Sequence, residues 1–335
     1  MVSFSTEITQ KCNLRCTYCY RKKGAMDMNI DTLKAVCDFA MKQDDPDIGF
    51  FGGEPLLKFR NIKKIVAEYP DITWNITTNA TLADKRVAKF LAENNVDVIV
   101  SMDGIREAHE IHRQKYDKAL AGLENLLEAH TNHVLRMTMT RETIPYMSKS
   151  VDYFLTLGVQ NFMITTADTG ALPLAQEDFK LFEDEAYKVA NLILKHDKRI
   201  YWQDRFARGC NTTIQDRRTC SAGVSYFGVN VLGEIYPCQR ALDYENLIMG
   251  NVYNGIMEDK FNHYKKLRFA DFKCDPTCSI YSVCNGTCYI VNYIRNGCHT
   301  FSYYQTCNIN RIIMQVADYM AHVRSNNGYT ELHSI

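Results

Sequence analysis

Over roughly its first 200 residues the chain alternates short β-like runs with amphipathic helical stretches, and that alternation leaves few folds open to it. The candidate strands are residues 3–8, 48–51, 73–78, 96–101, 134–140 and 161–165. The stretch after Asp31 puts Leu33, Val36, Cys37, Ala40 and Met41 on one helical face, and the stretch from Tyr116 does the same with Leu120, Leu123, Leu126 and Leu127. Residues 176–198 read as a longer helix with Phe179, Phe182, Ala186, Val189, Ala190 and Ile193 on its apolar side. Six such units predict a parallel sheet with helices outside it, joined by right-handed crossovers.

Two closures are open to such a sheet. A doubly wound sheet would carry a Gly-rich phosphate turn after its first strand. That place is taken by Cys12-Asn-Leu-Arg-Cys16-Thr-Tyr-Cys19, with no GxGxxG. A barrel puts its chemistry in the loops after the C-terminal ends of its strands. The distinctive residues fall there: the cysteine loop, Gly52-Gly53-Glu54-Pro55, Thr78-Asn79 and Ser101-Met-Asp103-Gly104. A full eight-stranded barrel takes about 250 residues, so the fold class expected is α/β, a partial (β/α)6 TIM-like barrel over residues 1–205. Beyond it the periodicity weakens. A hairpin over 229–236 turns at Leu232-Gly233, cysteines follow densely, and a helix covers 307–323. Residues 206–323 read as a small metal-stapled domain and 324–335 as a polar, frayed tail.

Lys and Arg together number 39, as do Asp and Glu, so the net charge is zero. That argues against a nucleic-acid groove or an anionic membrane surface as the main partner. No apolar run reaches the roughly 18 residues of a membrane span, and the N-terminus lacks the basic start and apolar core of a signal peptide. A cytoplasmic location is therefore expected, and there structural disulfides are rare. Thirteen cysteines, clustered along the chain, then point to metal or redox chemistry.

Cys12, Cys16 and Cys19 bring three thiolates onto one short loop, ligands that suit iron–sulfur clusters and zinc. Three close ligands leave a fourth cluster position open to a substrate or cofactor. Nearby Lys11, Arg15, Arg21, Lys22 and Lys23 either stabilise thiolates or form a solvated face. His109 and His112 are spaced His-x2-His without an HExxH, and read as structural residues at a helix start.

The Cx3Cx2C loop after a first strand resembles the signature of the radical S-adenosylmethionine (SAM) superfamily. Gly52-Gly53-Glu54 resembles the family's GGE motif. Ser101-Met102-Asp103-Gly104, followed by His109 and Arg113, resembles the fourth-strand segment of its peptide- and protein-modifying members. The resemblance implies a 4Fe–4S cluster on Cys12, Cys16 and Cys19, with the methionyl amine and carboxylate of SAM on the open iron. It implies that Glu54 and the backbone at Gly52 and Gly53 accept from the SAM ammonium, and that Tyr18 lies against the adenine. Asn79 and Ser101 are candidates for ribose or methionyl contacts, against ordinary strand-end hydrogen bonding.

Cys220-x12-Gly233-x4-Cys238, then Cys274-x3-Cys278-x5-Cys284-x3-Cys288, then Cys307, resembles the SPASM extension of radical SAM enzymes, which holds two auxiliary iron–sulfur clusters. The usual pattern has two residues between the first pair of the middle group, where this chain has three. Carried over by position, one auxiliary cluster takes Cys220, Cys238 and Cys288, with Cys210 a plausible fourth ligand. The other takes Cys274, Cys278, Cys284 and Cys307, with Cys298 an alternative to Cys307. Structural zinc is the rival reading. Cys37 reads as a core residue.

SPASM members mostly act on peptides or proteins. The resemblance therefore implies reductive SAM cleavage to a 5′-deoxyadenosyl radical and hydrogen abstraction from a ribosomally made peptide. Thioether cross-linking is the leading expectation. Formylglycine formation in sulfatases, other cross-links and epimerisation are the alternatives, and a structural or electron-transfer metal protein is the non-enzymatic one. Sulfatase-type enzymes carry an aspartate as general base after the second cysteine of the first auxiliary group. Here Cys238 precedes Gln239 and Arg240, and a glutamine does not accept that proton. The expected partners are a peptide substrate, whose leader is held by a separate leader-peptide-binding protein or which binds directly at the barrel mouth, and a flavodoxin- or ferredoxin-type reductant.

Overall fold

The computed structural model describes residues 1–169 and 171–326. In chain order its elements are β1 (Val2–Thr9), α1 (Ile30–Ala40), β2 (Pro46–Gly52), α2 (Phe59–Glu68), β3 (Thr73–Thr78), α3 (Lys85–Glu93), β4 (Asp97–Ser101), α4 (Arg106–His112), α5 (Tyr116–Glu128) and β5 (His133–Met139). There follow α6 (Met147–Thr156), β6 (Asn161–Thr166), α7 (Gln176–Lys195), β7 (Arg199–Ile200), α8 (Tyr201–Cys210), β8 (Tyr226–Val229) and β9 (Glu234–Tyr236). Last come β10 (Gly250–Asn251), β11 (Gly255–Ile256), α9 (Glu258–Lys266), α10 (Tyr289–Asn296) and α11 (Tyr304–Asn326). All six expected strands form, each within two residues of its expected ends. Local signals set the helix starts: the Asn29 side chain accepts the Thr32 N–H at the head of α1, and Asp84 accepts the Val87 N–H at the head of α3.

The chain divides into two compact units, each assembled from separated stretches. The first comprises Met1–Met102, His112–Leu135 and Cys220–Leu267. Its strands lie in the order β11-β10-β9-β8-β1-β2-β3-β4. The pairs from β8 through β4 are parallel, as βα crossovers require. β8, β9, β10 and β11 pair antiparallel. The expected hairpin is β8–β9, with Gly233 at a φ of +83° in its turn, and it extends the sheet beside β1. Phe4 on β1 stacks on Phe227 of β8 at 5.6 Å, and Phe50 on Trp74 at 5.0 Å. Each such buried ring contributes roughly 1.5–3 kcal/mol.

The second unit comprises Asp103–Ile111, Arg136–Thr219 and the chain from Arg268 onward. Most of β5, with β6 and β7, lies here. β6 and β7 pair in parallel, Asn161 opposite Arg199. Trp202 of α8 is buried and its indole N–H donates to the Ile164 carbonyl of β6 at 3.0 Å. α11 packs on α7 and α8, where Tyr319 donates to Asn191 at 2.8 Å. This helix outruns the expected 307–323 at both ends. Arg324, expected in the frayed tail, is helical and donates to the Lys198 carbonyl at 3.0 Å. The rest of that tail, 327–335, lies outside the described residues. No helix among the described residues is long and apolar enough to cross a membrane.

Candidate active site and cysteine centres

Cys12, Cys16 and Cys19 line one pocket of the first unit, together with Gly52 and Gly53 and the side chains of Glu7, Arg21, Lys22 and Lys23. Its empty volume is about 330 Å³, part of it open to solvent. The cysteine loop is pinned along its length. Cys19 N–H donates to the Cys16 carbonyl at 3.2 Å, and Leu14 N–H to the Cys12 sulfur at 3.4 Å. Lys23 Nζ donates to the Leu14 carbonyl at 3.0 Å. Burial pushes the Cys12 thiol up, while the Leu14 N–H and the Lys23 charge pull the other way. A thiolate there calls for a cation, which bound iron would supply. Among the described residues no group of three or more His, Cys, Asp or Glu side chains already stands at metal-binding geometry, so the three cysteines share the lining of the pocket without forming a closed cage.

The Gly52-Gly53-Glu54 turn is locked against that loop. Gly53 N–H donates to the Thr9 carbonyl at 2.8 Å and Glu54 N–H to the Lys11 carbonyl at 2.9 Å. A Cβ on Gly52 would stand 2.2 Å from the Thr9 carbonyl oxygen, and one on Gly53 2.0 Å from that of Lys11. Gly52 also has a φ of +133°, which side chains disfavour. Glu54 is 1% exposed. Its carboxylate accepts the Thr78 hydroxyl at 2.7 Å, the Asn79 N–H at 2.8 Å and the Leu56 N–H at 3.1 Å. Burial pushes its pKa up, and these three donors draw it back. The carboxylate thus ties the turn after β2 to the end of β3.

Asn79 is buried, and its amide donates to Asn13 of the cysteine loop at 2.9 Å while its carbonyl accepts from Thr81. Ser101 ends β4 half-buried. Tyr18 is buried, edge-on to the His112 ring and 5.4 Å from the Arg113 guanidinium. Arg113 also reaches the Cys16 sulfur at 3.9 Å. His109 is fully buried in α4. His112 is the last residue of that helix, not near its start, and hydrogen-bonds the Thr17 hydroxyl at 2.6 Å.

The basic residues around the loop are not a uniform solvated face. Arg21 is buried and bridges Glu7 and Asp243, the latter at 2.9 Å. Burial pushes Glu7 up and the Arg21 charge offsets part of it. Lys11 and Lys58 converge on Asp27, at 2.8 Å and 2.5 Å. Burial raises the Asp27 pKa, but hydrogen bonds from Lys11, Lys58 and Thr9 outweigh it and hold the carboxyl well below its usual range. Asp27, Glu7 and Asp243 escaped sequence reasoning as supports of the loop and carried no motif signal; Thr78 and Arg113 were singled out by position, though not in that role.

The C-terminal cysteines divide between the units. Cys220 and Cys238 belong to the first, where Gly223 N–H donates to the Pro237 carbonyl at 2.9 Å and draws their two segments together. Cys210 ends α8 and Cys288 precedes α10 in the second. Cys274, Cys278, Cys284 and Cys307 also lie in the second unit, close enough to act on one another. Burial, then the charges of Cys284, Cys307 and Cys278, push Cys274 up to about 11. Mutual repulsion of thiolates is what a shared cation relieves; the donor set is of the type an iron–sulfur cluster takes, although among the described residues no three of these groups stand at metal-binding geometry. Cys298 is exposed, with its thiol held by Thr300 and its pKa drawn down by that contact. Cys37 is buried in α1, and burial pushes its thiol up to about 12, as befits a core residue.

Residues 6–154 match the family model of the radical SAM superfamily. Radical SAM cyclopropyl synthase TigE of Paramaledivibacter caminithermalis is 24% identical over 84% of this chain and 66% of its own length. A cysteine-type anaerobic sulfatase-maturating enzyme of Clostridium perfringens is 25% identical over 83% of this chain and 85% of its own. The solved structure of native anSMEcpe with bound AdoMet and Cp18Cys peptide superposes with a TM-score of 0.78 at 20% identity, covering 97% of this chain and 99% of that one. The chain spans between about half and two thirds of the length of the first curated relatives it matches. The parallel βα core accordingly shares the TIM-like fold of the solved structure, and residues 6–154 match as a radical SAM domain.

Proposed function

We propose that the chain modifies a ribosomally made peptide by SAM-dependent radical chemistry and forms a thioether between a cysteine sulfur and a carbon. Residues 1–205 supply the SAM-binding barrel and residues 206–323 an auxiliary-cluster domain, with one SAM-binding and two auxiliary 4Fe–4S clusters. The observation that carries the reading is the shared pocket: three cysteines and the Gly52-Gly53 turn line it, and the turn is glycine because the backbone at Thr9 and Lys11 crosses it. A 4Fe–4S cluster with one open iron, bound there with SAM, supplies a 5′-deoxyadenosyl radical able to take hydrogen from an unactivated carbon. The chain's own residues hold the two ligand-bearing turns in register. Glu54, Asn79 and Asn13 link the turns after β1, β2 and β3. Lys22 and Lys23 bring to the pocket the positive charge that thiolates favour, while the charge of Arg21 is met by Glu7 and Asp243.

Gln239 favours thioether formation over formylglycine. Its side-chain carbonyl accepts the Ser5 hydroxyl at 2.7 Å, so the position next to Cys238 holds a neutral, engaged amide where sulfatase-type enzymes carry a base. Formylglycine formation is the second reading, favoured by the match to the sulfatase-maturating enzyme across 85% of its length. The peptide substrate, a separate leader-peptide-binding protein and a flavodoxin- or ferredoxin-type reductant complete the proposal. The test is anaerobic incubation of the reconstituted protein with SAM, reductant and cysteine-containing precursor peptides, read by mass spectrometry. A peptide that loses two hydrogens, keeps its sulfur and no longer alkylates at cysteine supports thioether formation. An aldehyde in place of the thiol supports the second reading. Iron and sulfide of about twelve each per chain are expected for three clusters. Zinc in their place refutes both readings.

A further inference from the structure

Cys284, in the second unit, is gripped at both its sulfur and its carbonyl. The sulfur accepts the Gly286 N–H at 3.2 Å and the Asn310 side-chain amide at 3.2 Å. The carbonyl accepts Nη1 of Arg217 at 3.0 Å. Asn310 lies on α11, one turn beyond Cys307, and is 3% exposed. Its Oδ1 is buried and finds no hydrogen-bond partner among the described residues. An amide that leaves its oxygen unpaired while aiming its N–H at sulfur is costly against a neutral thiol, which is a weak acceptor. Against a thiolate the same bond is charge-assisted and stronger.

Arg217 points the same way. It is 3% exposed, and its guanidinium donates to the carbonyls of Gly209 and Thr212, each at 2.7 Å, besides that of Cys284. Among the described residues no carboxylate pairs with it. A buried cation without a counter-charge is strongly destabilising. A cluster ligated by four thiolates carries net negative charge and would supply one.

Resting on the auxiliary-cluster reading above, we propose that Asn310 is a positioning residue for the centre held by Cys274, Cys278, Cys284 and Cys307: its amide fixes the Cys284 sulfur and, by donating to it, favours the reduced state of that centre. Hydrogen bonds to the sulfurs are among the levers by which a protein sets a cluster's potential. A donor stabilises added negative charge on sulfur, so the potential rises when the bond is present.

The experiment uses the full chain with Cys12, Cys16 and Cys19 changed to Ala, which leaves the auxiliary centres alone. It is reconstituted without oxygen and reduced stepwise with dithionite under EPR. Asn310→Leu removes the donor. Asn310→Asp, nearly the same shape, puts a carboxylate beside the sulfur and guards against misfolding of the first variant. The expected result is a tenfold shift of one couple toward the oxidised form in Asn310→Leu, or 59 mV for a one-electron centre, and a larger shift in Asn310→Asp. The other couple and the iron content stay as in the parent. Unchanged potentials in variants with parental iron overturn the role of Asn310 while the auxiliary-cluster reading stands. A parent that holds no iron after loss of the first three cysteines overturns that reading and the inference with it.

Discussion

Glu54→Ala and Glu54→Gln separate the structural work of this carboxylate from any contact with a ligand. Three donors converge on it: Leu56 N–H and Thr78 Oγ1–H on Oε1, and Asn79 N–H on Oε2. A buried donor left without an acceptor costs about 1–3 kcal/mol. Glu54→Ala strands all three, so even at the low end the loss is about 3 kcal/mol. Glu54→Gln keeps an oxygen for Leu56 and Thr78 but turns an NH2 toward the Asn79 N–H, which strands one donor for about 1–3 kcal/mol. The predicted order of stability is parent, then Gln, then Ala. Urea unfolding of the metal-free chain at pH 7, with amide exchange read at Leu56 and Asn79, measures it. Because burial raises the folded pKa of Glu54, the folded chain binds a proton that the unfolded chain releases between pH 4.5 and the raised value. The Glu54 contribution to stability therefore falls as pH rises through that window, and the Gln variant lacks this slope. Both variants unfolding within about 0.5 kcal/mol of the parent, with unchanged exchange at Asn79, would refute the role of Glu54 as the tie between the two turns.

Arg21→Met leaves Glu7 buried without its cation; the expected loss is about 3–5 kcal/mol near pH 7, shrinking toward pH 4.5 as Glu7 protonates, and thermal melts across pH measure it. Asp27→Asn frees Lys11 and Lys58; because the folded pKa of Asp27 is depressed, its contribution is present above pH 3.8 and is lost as pH falls through the folded value, so acid titration of the parent should show a step that the variant lacks. Gly53→Ala drives a methyl into the Lys11 carbonyl, and the reconstituted variant should bind SAM at least tenfold more weakly by calorimetry with its fold intact by circular dichroism. Cys307→Ser should lower iron per chain after reconstitution by up to about four, whereas Cys298→Ser should leave it unchanged; equal loss from both would count against Cys307 as the ligand.

The six βα units were legible because the hydrophobic period acts within a few residues; the capping residues that fix the helix starts, which only the structure brought out, act over the same range. Asn29 and Asp84 sit where a helix must begin, and strands 73–78 and 161–166 are bounded by their own patterns. The loop Cys12-x3-Cys16-x2-Cys19 was legible for the same reason, since three ligands on one short loop cannot be far apart. The turn at Gly52-Gly53 could be placed near it from the βα alternation alone.

What the sequence left open depends on partners distant along the chain. β8 pairs with β1 although more than two hundred residues separate them, and a short run such as Tyr226–Val229 carries no mark of its neighbour. Arg21 reads as one of several loop cations until folding brings Asp243 to it, and burial then makes it a buried bridge. Glu54 reads as a ligand-facing carboxylate until Thr78 and Asn79 arrive to claim its oxygens. Asn310 has no motif at all. Local spacing therefore determined the strands, the helices and the cysteine loop, because those interactions need only neighbouring residues. The supports of the site were decided by tertiary structure, because desolvation and hydrogen bonding between distant residues exist only once the chain has closed.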